Sequence, residues 1–246
     1  MYGAPEPDDH ARRAASFGAV AGEYALGRPE YPPDAVRFAL GPLALEVLDL
    51  AAGTGKLAGA VAAAGHRVIA VEPLDELRHE LQRSVPGVPV LAGVAEAIPL
   101  EPRSVDAVVV GSAFHWFEPE RAPAEIARVL RPGGRLALFG NRLDADQPWF
   151  GTYRAIVHSD RRRSRRRAAP GPPFALEREA EFPFSRSIDL PTLQALAVSY
   201  STIAVREPPE RAAVQERIAE LWRDELGDPD HVTLRHRTSV RCFGMS

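Results

Sequence analysis

Two carboxylates and a pair of glycines are the residues best placed to do chemistry. In Val47-Leu48-Asp49-Leu50-Ala51-Ala52-Gly53-Thr54-Gly55 an apolar run breaks into a glycine turn, and an alanine-rich stretch follows from Lys56. Glycines at 53 and 55 let the main chain turn sharply and approach a ligand closely. A helix starting there would offer its free amides and the positive end of its dipole to that ligand. Glu72 ends the next apolar run. A carboxylate at that place can accept hydrogen bonds from both hydroxyls of a ribose. Gly-x-Gly alone is a weak signal, but the order strand, turn, helix, strand, acid is specific. It predicts an adenosine-type ligand lying across the strand ends.

The spacing also excludes ligands. A dinucleotide site calls for Gly-x-Gly-x-x-Gly, whereas Ala51 stands ahead of Gly53 and Gly55, and Lys56-Leu57-Ala58 follow. A phosphate-binding Gly-x-x-x-x-Gly-Lys-Ser/Thr loop is absent, because Leu57 follows Lys56.

These residues need a scaffold, and the surrounding pattern supplies one. Leu45–Leu50, Arg67–Glu72, Val88–Leu91, Ser104–Val110 and Arg135–Gly140 read as strands. Lys56–Ala64, Leu74–Val85 and Ala122–Leu130 read as the helices between them, the last stopped by Arg131-Pro132-Gly133-Gly134. Strands alternating with helices predict βαβ units and a parallel sheet covered on both faces, wound right-handedly. Beyond Asn141 the pattern weakens. Residues 141–175 read as a helix and then a mobile loop, Phe182–Ile188 as a strand, and Pro191–Tyr200 and Pro209–Leu226 as helices. His231–Phe243 alternates like an antiparallel strand. The expected fold is therefore α/β: a doubly wound, Rossmann-like, seven-stranded mixed sheet with helices on both faces and an antiparallel C-terminal edge. The expected division is an N-terminal arm or lid (1–33), a cofactor-binding core (34–141), and a partial cap with the closing strands (142–246).

Composition bounds the setting. With 246 residues, 45% of them hydrophobic, and a formal net charge of −3, the chain suits a soluble globular protein with a substantial core. Its single cysteine, Cys242, excludes an internal disulfide framework and a Cys-pair zinc site. No apolar stretch is long enough to span a bilayer, and the N-terminus lacks a secretory pattern, so the expected place is the cytoplasm. Lys56 is the one lysine among 30 basic residues, a bias that fits a GC-rich genome. Arg161–Arg163 and Arg165–Arg167 form one basic run on an otherwise acidic chain. It has no interleaved aromatics for base stacking, so it reads as a solvated loop and argues against nucleic acid as partner. Asp144 and Asp146 have no companion cluster, and no metal is expected.

As an ensemble, residues 16–141 resemble the class I S-adenosylmethionine-dependent methyltransferases. The residues that carry the resemblance are Val47–Gly55, Glu72, Gly93–Leu100, Ser104–Val110 and Leu130–Leu136. Ala113-Phe114-His115-Trp116-Phe117 and Arg28-Pro29-x-Tyr31-Pro32 are similar to the small-molecule branch that includes trans-aconitate methyltransferases. The resemblance implies S-adenosylmethionine as cofactor, with S-adenosylhomocysteine as product. Tyr24, Arg28, Asp49, Ala51, Gly53, Gly55, Glu72, Pro73, Val94, Ala95, Glu96 and Ser112 would serve it. Leu74 would flank the adenine with Pro73. Val94 stands where many relatives carry Asp, and Ala51 where the pattern has Gly.

The implied reaction is methyl transfer to a small organic acceptor at oxygen, for a metabolite or natural product. His115 would be the base, or else a histidine that packs and bonds a backbone carbonyl. Tyr31, Trp116 and Phe117 would line the acceptor, with core packing the competing role for Phe117. Arg28 would pair with a carboxylate of the cofactor or of an acidic acceptor. Two other readings stand beside this one: a nucleic-acid methyltransferase using the arginine run, and a cofactor-binding cyclase or regulator that transfers no methyl group.

Overall fold

The computed structural model describes residues 16–157 and 169–245. The arginine run lies outside the described residues. Seven strands form one sheet: β1 (Glu46–Leu50), β2 (Arg67–Val71), β3 (Val90–Leu91), β4 (Val105–Gly111), β5 (Leu130–Leu143), β6 (Phe174–Ile188) and β7 (Val232–Met245), in the order β3-β2-β1-β4-β5-β7-β6. The first five are parallel. Ser239 bonds Gly140, Thr238 bonds Asn141, and the Asp144 amide bonds the Arg235 carbonyl. Partner numbers rise on one strand as they fall on the other, so β7 runs antiparallel to β5 and the sheet is mixed.

β1 and β4 are buried almost throughout because helices cover both faces. Val47, Val109 and Ala137 pack under α2 (Pro33–Leu40) and α3 (Lys56–Ala63). Their neighbours Leu48, Val108 and Leu136 point the other way, to Ile126 and Val129 of α5 (Arg121–Val129). The helix between, α4, spans Asp75–Ser84. Because β1 lies between β2 and β4, the connections on its two sides diverge at its carboxyl end. Open α/β sheets bind ligands at such a point.

By packing, the described residues form two units, one of residues 29–142, 169–184 and 237–245, the other of 16–28, 143–157 and 185–236. The first holds the parallel sheet. The second holds α1 (Ala21–Gly27), α6 (Phe150–Val157), α7 (Leu190–Val198), α8 (Ser201–Ala204) and α9 (Pro208–Asp224). Its core includes Trp149, Tyr153, Leu193, Ile218, Trp222 and Leu234. α9 begins with a reciprocal cap between Glu207 and Glu210. Gly27 meets α7 so closely that a Cβ there would lie 2.3 Å from the Leu196 nitrogen.

Two stretches depart from expectation. Arg131–Gly134 does not stop short of the fifth strand. β5 already pairs at Leu130, and the register slips between Val105 and Ala107 to absorb the extra residues. The Asp106 carboxylate fixes the slip by accepting from Arg131 (2.8 Å) and from the Glu46 amide (2.8 Å). β6 starts at Phe174, within the stretch expected to be loop, because Phe174 and Phe243 share the sheet's core.

Candidate functional site

The turn after β1 is built by left-handed backbone. Ala51, Gly53 and Gly55 have φ of 57°, 59° and 85°. Gly55 has a second constraint, since a Cβ there would sit 2.7 Å from Leu81 Cγ on α4. Ala51 carries a Cβ in a region that L-residues rarely adopt.

Glu72 closes this turn onto β2. One carboxylate oxygen accepts from the Gly53 amide (2.9 Å) and the other from the Leu74 amide (3.0 Å). Each oxygen keeps a lone pair for a further donor. Glu72 is buried, and burial raises its pKa more than the Leu74 and Gly53 amides and Arg78 lower it. Arg78 also donates to the carbonyls of Glu72 (2.9 Å) and Pro73 (2.6 Å), holding the strand end in place. Pro73 is exposed and Leu74 half-buried.

Asp49 lies deeper. It is fully buried, and among the described residues neither carboxyl oxygen has a hydrogen-bond partner of ordinary geometry. Burial pushes its pKa up to about 8, the approach of the Ala58 backbone N–H lowers it, and the nearby Glu72 charge raises it. Two buried carboxyl groups beside an amide-rich turn suit a ligand that is both cationic and rich in hydroxyls.

The third segment, 93–100, is fastened from α5. Glu125 accepts from the Ile98 amide (2.9 Å), and Arg128 donates to the Ile98 (2.9 Å) and Leu100 (2.8 Å) carbonyls. Ala95 is buried, Glu96 half-buried, and Val94 exposed. Glu96 accepts from the Glu118 amide (2.8 Å), tying this loop to the segment after Phe117. Sequence reasoning missed Glu125 and Arg128. Their signal was an acid–base pair one helical turn apart.

The fourth segment follows β4. Ser112 has φ of 58°, and its amide donates to the Phe139 carbonyl (2.8 Å). His115 sits in a 3₁₀ turn, Phe114–Trp116, with its ring exposed and 4.7 Å from the Trp116 ring. Trp116 and Phe117 are half-buried. Phe117 packs edge-on to Phe114 (5.4 Å) and against the core. Tyr31 is buried edge-on to Phe139 (5.6 Å), and a Cβ at Gly111 would lie 2.8 Å from its hydroxyl. All these residues belong to the unit that holds the parallel sheet. Lys56 pairs with Glu30 (2.6 Å).

Tyr24 and Arg28 belong to the other unit. There the Arg28 guanidinium lies between the rings of Tyr24 (5.1 Å) and Tyr200 (4.8 Å) and donates to the Ser199 carbonyl (2.7 Å). Among the described residues no helix is long and apolar enough to cross a membrane.

Residues 48–138 match the methyltransferase domain family. The chain is 38% identical over 206 residues to an uncharacterised methyltransferase of Mycobacterium bovis, covering 84% of this chain and 85% of that protein. It is 32% identical over 237 residues to a methyltransferase-like protein of Schizosaccharomyces pombe, covering 91% of this chain and 93% of that protein. In fold it is similar to a solved structure from Anaeromyxobacter dehalogenans assigned provisionally as a type II methyltransferase. That likeness has a TM-score of 0.67 at 24% identity and covers 89% of this chain and 97% of the other.

Proposed function

Because the chain belongs to the class I S-adenosylmethionine-dependent methyltransferases, we propose that it methylates a small organic acceptor, at oxygen, in the making of a metabolite or natural product. The observation that carries the cofactor half of this reading is the buried pair Asp49 and Glu72 around the glycine turn. A cationic sulfonium compound bearing a ribose fits those acceptors, since among the described residues one buried carboxyl has no ordinary hydrogen-bond partner and the other has lone pairs to spare. When bound, S-adenosylmethionine supplies an electrophilic methyl group.

The residues divide the work. Ala51, Gly53 and Gly55 would let the main chain approach the methionine part. Glu72 would accept from the ribose hydroxyls, and Pro73 and Leu74 would flank the adenine. Val94, Ala95 and Glu96 would bound its edge, with backbone amides serving where Val94 has no carboxylate. Ser112 would line the same ligand beyond β4. Arg28, with Tyr24 stacked on it, would pair with a carboxylate of the cofactor or the acceptor.

Trp116 and Tyr31 would bound the acceptor, with Phe117 giving support from the core side. Holding nucleophile, methyl carbon and sulfur in line, with water kept out, can supply roughly 7–11 kcal/mol of barrier reduction. His115 would take the proton from a hydroxyl nucleophile, whereas a carboxylate nucleophile needs no base. Its exposed place on the 3₁₀ turn after β4 supports that role.

The test is a transfer assay with isotopically labelled cofactor across small acids, phenols and RNA, the product being identified by mass spectrometry. A methylated small acid or phenol is the expected result. Transfer to RNA alone, or tight cofactor binding with transfer to nothing, would refute the reading.

A further inference from the structure

The second unit contains a group of polar side chains for which the methyl-transfer site gives no account. Tyr153 on α6 is 1% exposed, and its hydroxyl makes no hydrogen bond of ordinary geometry among the described residues. Tyr200, just before α8, is its polar neighbour, and Arg28 and Arg186 are both close enough to act on it electrostatically. The Nε of Arg28 is buried and likewise has no hydrogen-bond partner among the described residues. Arg186, near the end of β6, donates to the Gly27 carbonyl at the end of α1. It also acts on the buried His236 of β7, whose pKa burial and the arginine charge lower to about 4. That imidazole is neutral at neutral pH and adds no cation of its own.

We propose that Tyr153, Tyr200, Arg28 and Arg186 form a carboxylate-binding site that recognises an acidic small-molecule acceptor. Buried donors without acceptors are rare in native proteins, and each calls for an explanation. Among the described residues the buried groups without an ordinary hydrogen-bond partner here are the Arg28 Nε–H and the Tyr153 hydroxyl, and both can donate. Ser199 occupies only one of the five N–H groups of Arg28. Donors gathered beside guanidinium groups select anionic oxygen, and a guanidinium fork matches a carboxylate in shape.

The Arg28 side chain is already oriented. Its stacking between Tyr24 and Tyr200 fixes the plane of the fork before any ligand arrives, which lowers the ordering cost of binding. Tyr153, Tyr200 and Arg186 also lie outside the matched methyltransferase domain, 48–138. Apart from Tyr24 and Arg28, the residues given to the cofactor lie inside that stretch, so a site drawn mostly from elsewhere in the chain favours the acceptor as its ligand. This inference rests on the small-acceptor reading above.

The test titrates the protein, with and without S-adenosylhomocysteine, with succinate, hexanoate and benzoate, each beside its neutral amide. At least one acid is expected to bind about tenfold or more tightly than its amide, as a charge-assisted site should. Tyr153→Phe, which removes a single oxygen, is expected to abolish most of that preference and to leave S-adenosylhomocysteine affinity unchanged. Tyr200→Phe is the second variant and should weaken the same preference.

No preference for any acid over its amide would overturn the site, as would a preference that survives both substitutions. A matching loss of S-adenosylhomocysteine affinity in Tyr153→Phe would overturn it too, by giving the cluster to the cofactor's own carboxylate. Because acids are also titrated without cofactor, a failure to bind S-adenosylhomocysteine counts against the proposed function and not against this site.

Discussion

Asp49 should make the ligand-free protein lose stability as pH rises, and replacing it should remove that loss. In the unfolded chain its carboxyl titrates near 3.8, and in the fold burial moves it to about 8. Between those two values the folded protein binds one proton more than the unfolded chain. Stability therefore falls with pH, by about 1.4 kcal/mol per unit from this group. Summed over the whole shift, ionising Asp49 in place costs about 6 kcal/mol. The cost is absent below pH 4, grows across the window, and is complete above pH 8.

Asp49→Asn keeps the shape and never ionises. The variant should therefore match the parent near pH 4 and exceed it increasingly toward pH 8. Urea unfolding of both proteins at pH 5, 6, 7 and 8, without ligand, gives the difference directly. A stability gap that stays constant across those pH values would refute the reasoning, because it would mean that Asp49 does not hold a proton in the fold. The same pKa bears on binding. A cation brought to Asp49 favours its ionised form, so cofactor binding at pH 7 should release a proton, measurable by calorimetry in buffers of different ionisation enthalpy.

Other expectations follow from single contacts. Gly27→Ala puts a Cβ 2.3 Å from the Leu196 backbone, so α1 and α7 must separate; a loss of about 3 kcal/mol or more should appear as a lowered Tm. Ala51→Gly relieves a positive φ worth about 1–2 kcal/mol and returns about 0.5–1 kcal/mol as backbone entropy, so a small net gain in Tm is expected. His115→Ala should lower turnover of a hydroxyl acceptor by about 10²–10⁴-fold and leave cofactor affinity unchanged, and equal turnover would remove His115 from catalysis.

Much of the cofactor end was legible because its signals are local. Val47–Gly55 and Arg67–Glu72 each hold a strand and its turn within a few residues, and period and glycine placement are read over such short windows. The strand after Arg131–Gly134 was legible only in part. Its start depends on a register slip against β4, held by Asp106 from a different strand. β6 was half hidden for a related reason. An edge strand with many exposed residues has little hydrophobic pattern to read, and the burial of Phe174 against Phe243 anchors its start.

By itself the sequence determined that Asp49, the turn glycines and Glu72 would end adjacent strands of a doubly wound sheet. Hydrophobic period and turn chemistry act between near neighbours, and those residues are near neighbours in pairs. Only the tertiary structure decided that burial raises the Asp49 pKa and that Glu125 and Arg128 hold the 93–100 loop. It alone brought Arg28, Tyr153, Arg186 and Tyr200 together from four separate stretches of chain. Desolvation and hydrogen-bond geometry depend on everything that surrounds a group, and no local pattern along the chain encodes them.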